Sequence, residues 1–65
     1  MFAHDARQTA QAFLTVGIAA QLLGAFEESL QTLQWTVPLA EEGGDLEVKA
    51  MAFGRLDLQR QMASR

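Results

Sequence analysis

The chain of 65 residues has no cysteine, no tyrosine, one proline (Pro38) and one histidine (His4). Without cysteine it cannot form the disulfides that often stabilise small domains. A structural zinc site usually takes four thiolate or imidazole ligands, which one histidine cannot supply. That histidine lies four residues from the amino terminus, a poor position for the base of a nucleophilic site. We therefore expect no metal, no cofactor and no enzymatic activity.

Basic residues are also scarce, five against eight acidic ones, which gives a net charge of −3. Nucleic-acid binding needs clustered Lys and Arg, so we expect no nucleic-acid partner. Between Gly24 and Val48 there are six acidic residues and no basic one, whereas the segment from Lys49 to Arg65 has four basic residues and one acidic residue, Asp57. Two explanations remain open: complementarity to the helix dipoles, and a head-to-tail electrostatic match between subunits.

Carboxylate pairs and apolar runs are weak as functional signals. The pairs Glu27-Glu28 and Glu41-Glu42 lack the Glu-x-x-His motif of di-iron bundles, and solvated helix faces explain them. The apolar stretch from Ala12 to Phe26 is shorter than the ~20 residues of a membrane span. The amino terminus, where Asp5 lies beside His4 and Arg7, lacks the positive charge of a secretory signal. We expect no membrane partner and a cytoplasmic location.

Hydrophobic residues make up 49% of the chain, and most residues are strong helix formers. This predicts an all-α protein with a single domain of three helices, over about 3–23, 25–42 and 45–63. Gly24 is expected to cap the first helix and Asp45 to begin the third. Pro38 either ends the second helix or kinks it, and the helix-forming residues after it favour a kink. A chain this small buries only a marginal core, which favours association.

Spacing predicts which residues face inward. On the first helix, small and apolar residues share one broad face, with Gly17 allowing a close helix approach: Ala3, Ala6, Ala10, Phe13, Val16, Gly17, Ala20 and Leu23. The second helix has the stripe Phe26, Leu30, Leu33 and Val37. The third has two apolar faces, Leu46, Ala50, Phe53 and Leu56 on one and Val48, Met51, Leu58 and Met62 on the other. The predicted core consists of Phe13, Gly17, Phe26, Leu30, Leu33 and Phe53.

Trp35 lies about 180° from Phe26 on the second helix, since successive residues turn by 100°. Either the third helix folds back over it, or it anchors an interface, where tryptophan is enriched. Methionine suits adaptable apolar contacts of either kind. The residues predicted to contact a partner are Trp35, Leu39, Met51, Leu58 and Met62.

The segment from Phe13 to Leu56 resembles the tetratricopeptide repeat, over one helical hairpin and the first helix of a second unit. The matching positions are Phe13, Val16, Gly17 and Ala20, then Gly24 at the turn, then Phe26, Ser29, Leu30, Leu33 and Thr36, and finally Ala50, Phe53 and Gly54. Gly17 thus recurs as Gly54, and Ser29 stands where the repeat usually has alanine. The resemblance implies a hairpin plus a third helix, and protein or peptide binding. Such repeats usually need about three units for stability, which implies a partner here.

The sequence therefore predicts a protein-protein interaction module that acts through homo-oligomeric or hetero-oligomeric helix packing. The alternative is a small chaperone or adaptor subunit that masks an amphipathic helix of a client, for example in a secretion system. A membrane-surface peptide is disfavoured because the first helix lacks the flanking Lys and Arg of such anchors.

Overall fold

The computed structural model describes residues 3–63, which form three α-helices: α1 (Ala3–Leu22), α2 (Phe26–Gly43) and α3 (Leu46–Ala63). This part of the chain contains no strand. The predicted all-α, three-helix fold is confirmed. α2 continues through Pro38 to Gly43, so it does not end at Val37.

Both turns between helices depend on a glycine with positive φ. Gly24 has φ +84° and Gly44 has φ +69°, a conformation that side chains with a Cβ rarely adopt. After Gly44, the Asp45 amide donates to the carbonyl oxygen of Ala40 over 2.9 Å, which closes the end of α2. The Asp45 carboxylate then accepts the amide of Val48 over 3.2 Å and caps α3. The predicted roles of Gly24 and Asp45 are confirmed.

α1 and α2 pack antiparallel with very close backbones. A Cβ atom added at Gly17 would lie 2.8 Å from Cδ2 of Leu33, and one added at Gly43 would lie 2.7 Å from the backbone nitrogen of Arg7. Near the first contact, the buried Ser29 hydroxyl donates to the carbonyl oxygen of Gly17 over 2.8 Å. This approach is possible because the facing residues are small: Ala6, Ala10, Gly17, Ser29, Thr36, Ala40 and Gly43, all buried.

The core is correspondingly made of small and aliphatic side chains. Leu14, Leu33 and Val48 are its large members, and alanines from all three helices fill the rest. Four half-buried residues pack against it: Ile18, Val37, Leu39 and Leu56. The buried apolar layer is therefore thin, as expected for a chain of this length.

Several residues predicted to be internal are not. Leu33 and Gly17 are buried and Phe13 is half-buried, but Phe26, Leu30 and Phe53 are exposed. α2 turns the line through Ser29, Leu33, Thr36, Ala40 and Gly43 toward α1, because bulky side chains there would hold the two backbones apart. That rotation moves Phe26 and Leu30 outward. Val16 on α1 and Leu23 in the turn after it are likewise exposed, and Leu14 is buried in their place.

A buried polar network joins all three helices near the α1–α2 turn. Gln21, on α1, donates to the backbone carbonyl oxygen of Arg55 over 3.0 Å and to the Gln59 side chain over 3.4 Å. Gln59 in turn donates to the carbonyl oxygen of Phe26 over 2.7 Å. Because buried amides are costly without partners, the network fixes the register of α3 on the hairpin.

Candidate protein-interaction surface

The largest apolar side chains lie on the surface. None of the aromatic residues in the segment 4–63 is buried, and Trp35 is 65% exposed, Phe53 51% and Phe26 44%. Large contiguous apolar surfaces on small proteins commonly mark interaction sites. The other exposed large hydrophobic residues are Val16, Leu22, Leu23, Leu30, Leu46, Met51, Leu58 and Met62.

A groove of about 390 Å³ runs between α2 and α3. Three apolar and three polar residues line it: Leu30, Gln34, Phe53, Leu56, Asp57 and Arg60. A second hollow of about 200 Å³ lies further along the same two helices, lined by Phe26, Gln59, Met62 and Ala63. We call the surface that contains both hollows the α2–α3 face. From Phe26 to Gln34 it extends over about 12 Å of helix.

The two edges of the α2–α3 face carry opposite charge. Glu27, Gln34 and Glu41 recur every seven residues on α2, which places them on one side of the helix, and Gln34 borders the groove. On α3, Lys49 lies beside Glu41, with an Nζ to Oε2 distance of 3.8 Å, and Arg60 borders the groove. The α2 edge is therefore acidic.

The α3 edge is basic but contains one carboxylate. Arg60 Nη2 lies 2.6 Å from Oδ1 of Asp57, and the side chains are 80% and 49% exposed, respectively. Such exposed pairs contribute little to stability. Their effect is to give the groove rim both signs of charge rather than one.

The structure does not bring together the five residues predicted to contact a partner. Met62 lines the α2–α3 face. Met51 and Leu58 share a face of α3 with Met62 but line neither hollow; they are exposed beside Gly54, where an added Cβ would meet open space. Leu39 is half-buried and packs against the core, so its predicted exposure is wrong.

Trp35 stands apart from all of them on the outer side of α2. Its exposure shows that α3 does not fold back over it, so the alternative that placed Trp35 in the core is wrong. The role of Trp35 as an interface anchor stays a prediction.

Phe26, Leu30 and Phe53, which line the two hollows, were missed because they were assigned to the core. On α2 and on α3 alike, these residues fit a helical apolar stripe that also suits burial. The competing signal was the line Ser29, Leu33, Thr36, Ala40 and Gly43 on α2, spaced four, three, four and three apart, in which every residue except Leu33 is small. This line follows one face of the helix, as the stripe from Phe26 to Val37 also does. The small side chains of the line favour close helix packing.

Other kinds of site find no support in the part of the chain that is described. Within residues 3–63, no group of three or more acidic or histidine side chains is placed to hold a metal ion. Over the same range, no helix combines the length and apolar character needed to cross a bilayer. Comparison with family models, curated proteins and solved structures gave no match.

Proposed function

We propose that the chain is a non-catalytic protein-interaction module of the cytoplasm that acts by helix packing, either in a homo-oligomer or as a subunit of a larger complex. The observation that carries this proposal is the α2–α3 face. Its groove is lined by the apolar residues Leu30, Phe53 and Leu56 and by the charged residues Asp57 and Arg60. Protein interfaces usually combine apolar side chains with polar and charged ones.

The distribution of side chains between core and surface supports the proposal. Inside, the helices are held by alanines, glycine contacts and three larger aliphatic residues, whereas the aromatic residues of the segment 4–63 stay accessible. Aromatic side chains contribute much of the binding energy in interfaces. A chain that exposes its aromatic side chains and buries little apolar surface gains stability when a partner covers those side chains.

The likeness to the tetratricopeptide repeat remains part of this proposal. The close contact of Gly17 with Leu33 is compatible with the paired helices of such a repeat. Gly54, which corresponds to Gly17 in the resemblance, has open space beside it. A further helix from another chain could pack there as α2 packs on Gly17.

The second candidate is a chaperone or adaptor that masks an amphipathic helix of a client. The shape of the groove favours this second candidate, because a hollow between two neighbouring helices accepts the apolar face of a third helix. In that case the chain alone would lack the helix that completes its core.

Expression of the chain alone, followed by thermal melting at several concentrations, tests the proposal. A melting temperature that rises with concentration supports self-association, because association stabilises the folded state by mass action. A helical chain that melts without cooperativity and binds a hydrophobic dye supports an obligate subunit. A cooperative melt at one temperature across micromolar concentrations contradicts the proposal.

A further inference from the structure

We propose that the partner of the α2–α3 face is the same face of a second copy, packed around a two-fold axis that runs parallel to α2 and α3. This inference rests on the proposed function and names the partner within it. It is carried by the arrangement of charge on the face, which is complementary to itself in one orientation only.

The two edges define that orientation. Glu27 and Glu41 lie along one line of α2, and Lys49 and Arg60 lie along one line of α3, which also carries Asp57 beside Arg60. When two such faces meet around an axis parallel to the helices, α2 of each copy lies over α3 of the other, and acidic edges meet basic ones. An axis across the helices would instead place α2 over α2, with acidic edges together. Charge therefore selects the first arrangement.

Heights along the helices also match. Rotation about an axis parallel to the helices leaves every residue at its own height, so residues level with each other in one chain are level across the interface. Within the chain, Gln59 is level with Phe26, since its amide donates to the Phe26 carbonyl oxygen over 2.7 Å. Glu27 of one copy therefore lies level with Arg60 of its partner.

The other end of the face follows the same rule. Glu41 and Lys49 are level with each other, as their 3.8 Å ion pair shows. In the dimer, Glu41 of each copy also lies close to Lys49 of the other copy. Between the two ends, Phe53 of one copy would lie over the turn from Leu30 to Gln34 of the other, since these residues line one groove. The aromatic ring thus gains an apolar site while the rims pair.

Charge also argues against a partner of one dominant sign. An acidic helix would be repelled by Glu27 and Glu41, and a strongly basic one by Lys49 and Arg60. A second copy satisfies both edges at once. The two other exposed apolar surfaces, around Trp35 and around Met51 with Leu58, have no such pattern to identify what covers them.

Two opposite charge reversals test the arrangement: Glu27→Lys and Arg60→Glu, each in the full chain. Either variant alone gives edges of one sign at the contact, and we expect its dissociation constant for self-association to rise about tenfold or more. In an equimolar mixture, acidic edges of one variant meet basic edges of the other. We expect the mixture to regain the wild-type mass in sedimentation equilibrium.

Recovery on mixing cannot come from contacts within one chain, so it separates assembly from folding. Glu28→Lys is the matched control, because Glu28 also lies in the first turn of α2 but about 100° away from the groove side. It should leave the mass unchanged. Phe53→Ala, which changes no charge, should weaken association without unfolding the chain, since Phe53 is half exposed.

Two results would overturn the inference. If the single reversals are folded and assemble like the wild type, the α2–α3 face is not the contact, although a dimer of the wild type would still support an interaction module. If the mixture stays as weak as its components, the orientation is wrong. A wild-type chain that is monomeric and melts cooperatively would instead remove the proposed function itself.

Discussion

Gly17 and Leu33 touch so closely that a methyl group on Gly17 would lie 2.8 Å from one methyl of Leu33 and 2.9 Å from its Cγ. Leu33 is completely buried and has little room to move. The contact is the point where α1 and α2 approach through a glycine backbone, and it fixes the rotation of α2. That rotation is what exposes Phe26 and Leu30 on the α2–α3 face.

Gly17→Ala should lower the free energy of unfolding by about 1 to 2 kcal/mol, because the clash with Leu33 outweighs the better helix propensity of alanine. Gly54→Ala is the control in α3, where the added methyl meets open space. It should stabilise the chain by about 0.5 to 1 kcal/mol. Urea titrations at one fixed chain concentration measure both. Equal effects of the two substitutions would contradict the close contact at Gly17.

Gly43→Ala should cost more than Gly17→Ala. The atoms that its methyl would meet, 2.7 and 2.8 Å away, are the backbone nitrogen and Cα of Arg7. Even a buried leucine side chain can shift slightly, whereas a helix backbone must shift as a whole, so we expect a loss of about 2 to 3 kcal/mol. A stability equal to that of the wild type would show that the α1 and α2 backbones are too far apart near Arg7 for a methyl group on Gly43 to touch Arg7.

Gln59→Ala should destabilise the chain by about 1 to 3 kcal/mol, because it removes the bond to the Phe26 carbonyl oxygen and a partner of the buried Gln21 amide. Gln31→Ala, at an exposed position of α2, is the control and should change stability by less than about 0.5 kcal/mol. Hydrogen exchange adds a local readout: protection in α3 should fall more than protection in α1 and α2. A uniform loss would argue against a network that seats α3.

If the α2–α3 face is the contact between copies, Trp35→Ala should change neither the helicity nor the mass of the assembly, in contrast to the result expected from Trp35 as an interface anchor. Trp35 is 65% exposed and lies on the side of α2 away from the groove. Circular dichroism and sedimentation of the variant check both quantities against the wild type. A shift to monomer with unchanged helicity would move the interface to Trp35 and support its predicted role as an anchor.

The sequence was informative about helices because capping and breaking signals are local. Gly24, Asp45 and the Gly43-Gly44 pair act within a few residues of themselves, and the structure places the helix ends around them. Close packing at Gly17 was also predictable, because glycine destabilises the interior of a helix and a close contact with another helix offsets that cost.

The rotation of each helix was harder to predict because it depends on which face another helix prefers. On α2, the stripe from Phe26 to Val37 and the line of small residues from Ser29 to Gly43 both follow the helical period. Hydrophobicity favours burial of the first, but backbone approach and the Ser29 bond to Gly17 favour the second. Which of the two lines is buried depends on the surface of α1, and the residue pattern of α2 alone carries no information about that surface.

The polar network was not predicted for a similar reason. Gln21 and Gln59 appear in the sequence as ordinary polar positions, and only the packed helices bring them within 3.4 Å. Glutamine is usually exposed, so burial of both was not expected from composition. The charge asymmetry, in contrast, was visible at once, and the fold turned it into two edges of one face.

The central claim is that this chain functions through association of its exposed helix faces, with a second copy as the partner. The most direct test is the mass of the purified chain by sedimentation equilibrium, measured across micromolar concentrations. The account predicts a mass that approaches twice the 7.1 kDa of one chain as concentration rises. A mass of 7.1 kDa at every concentration, in a chain that also melts cooperatively, would contradict it.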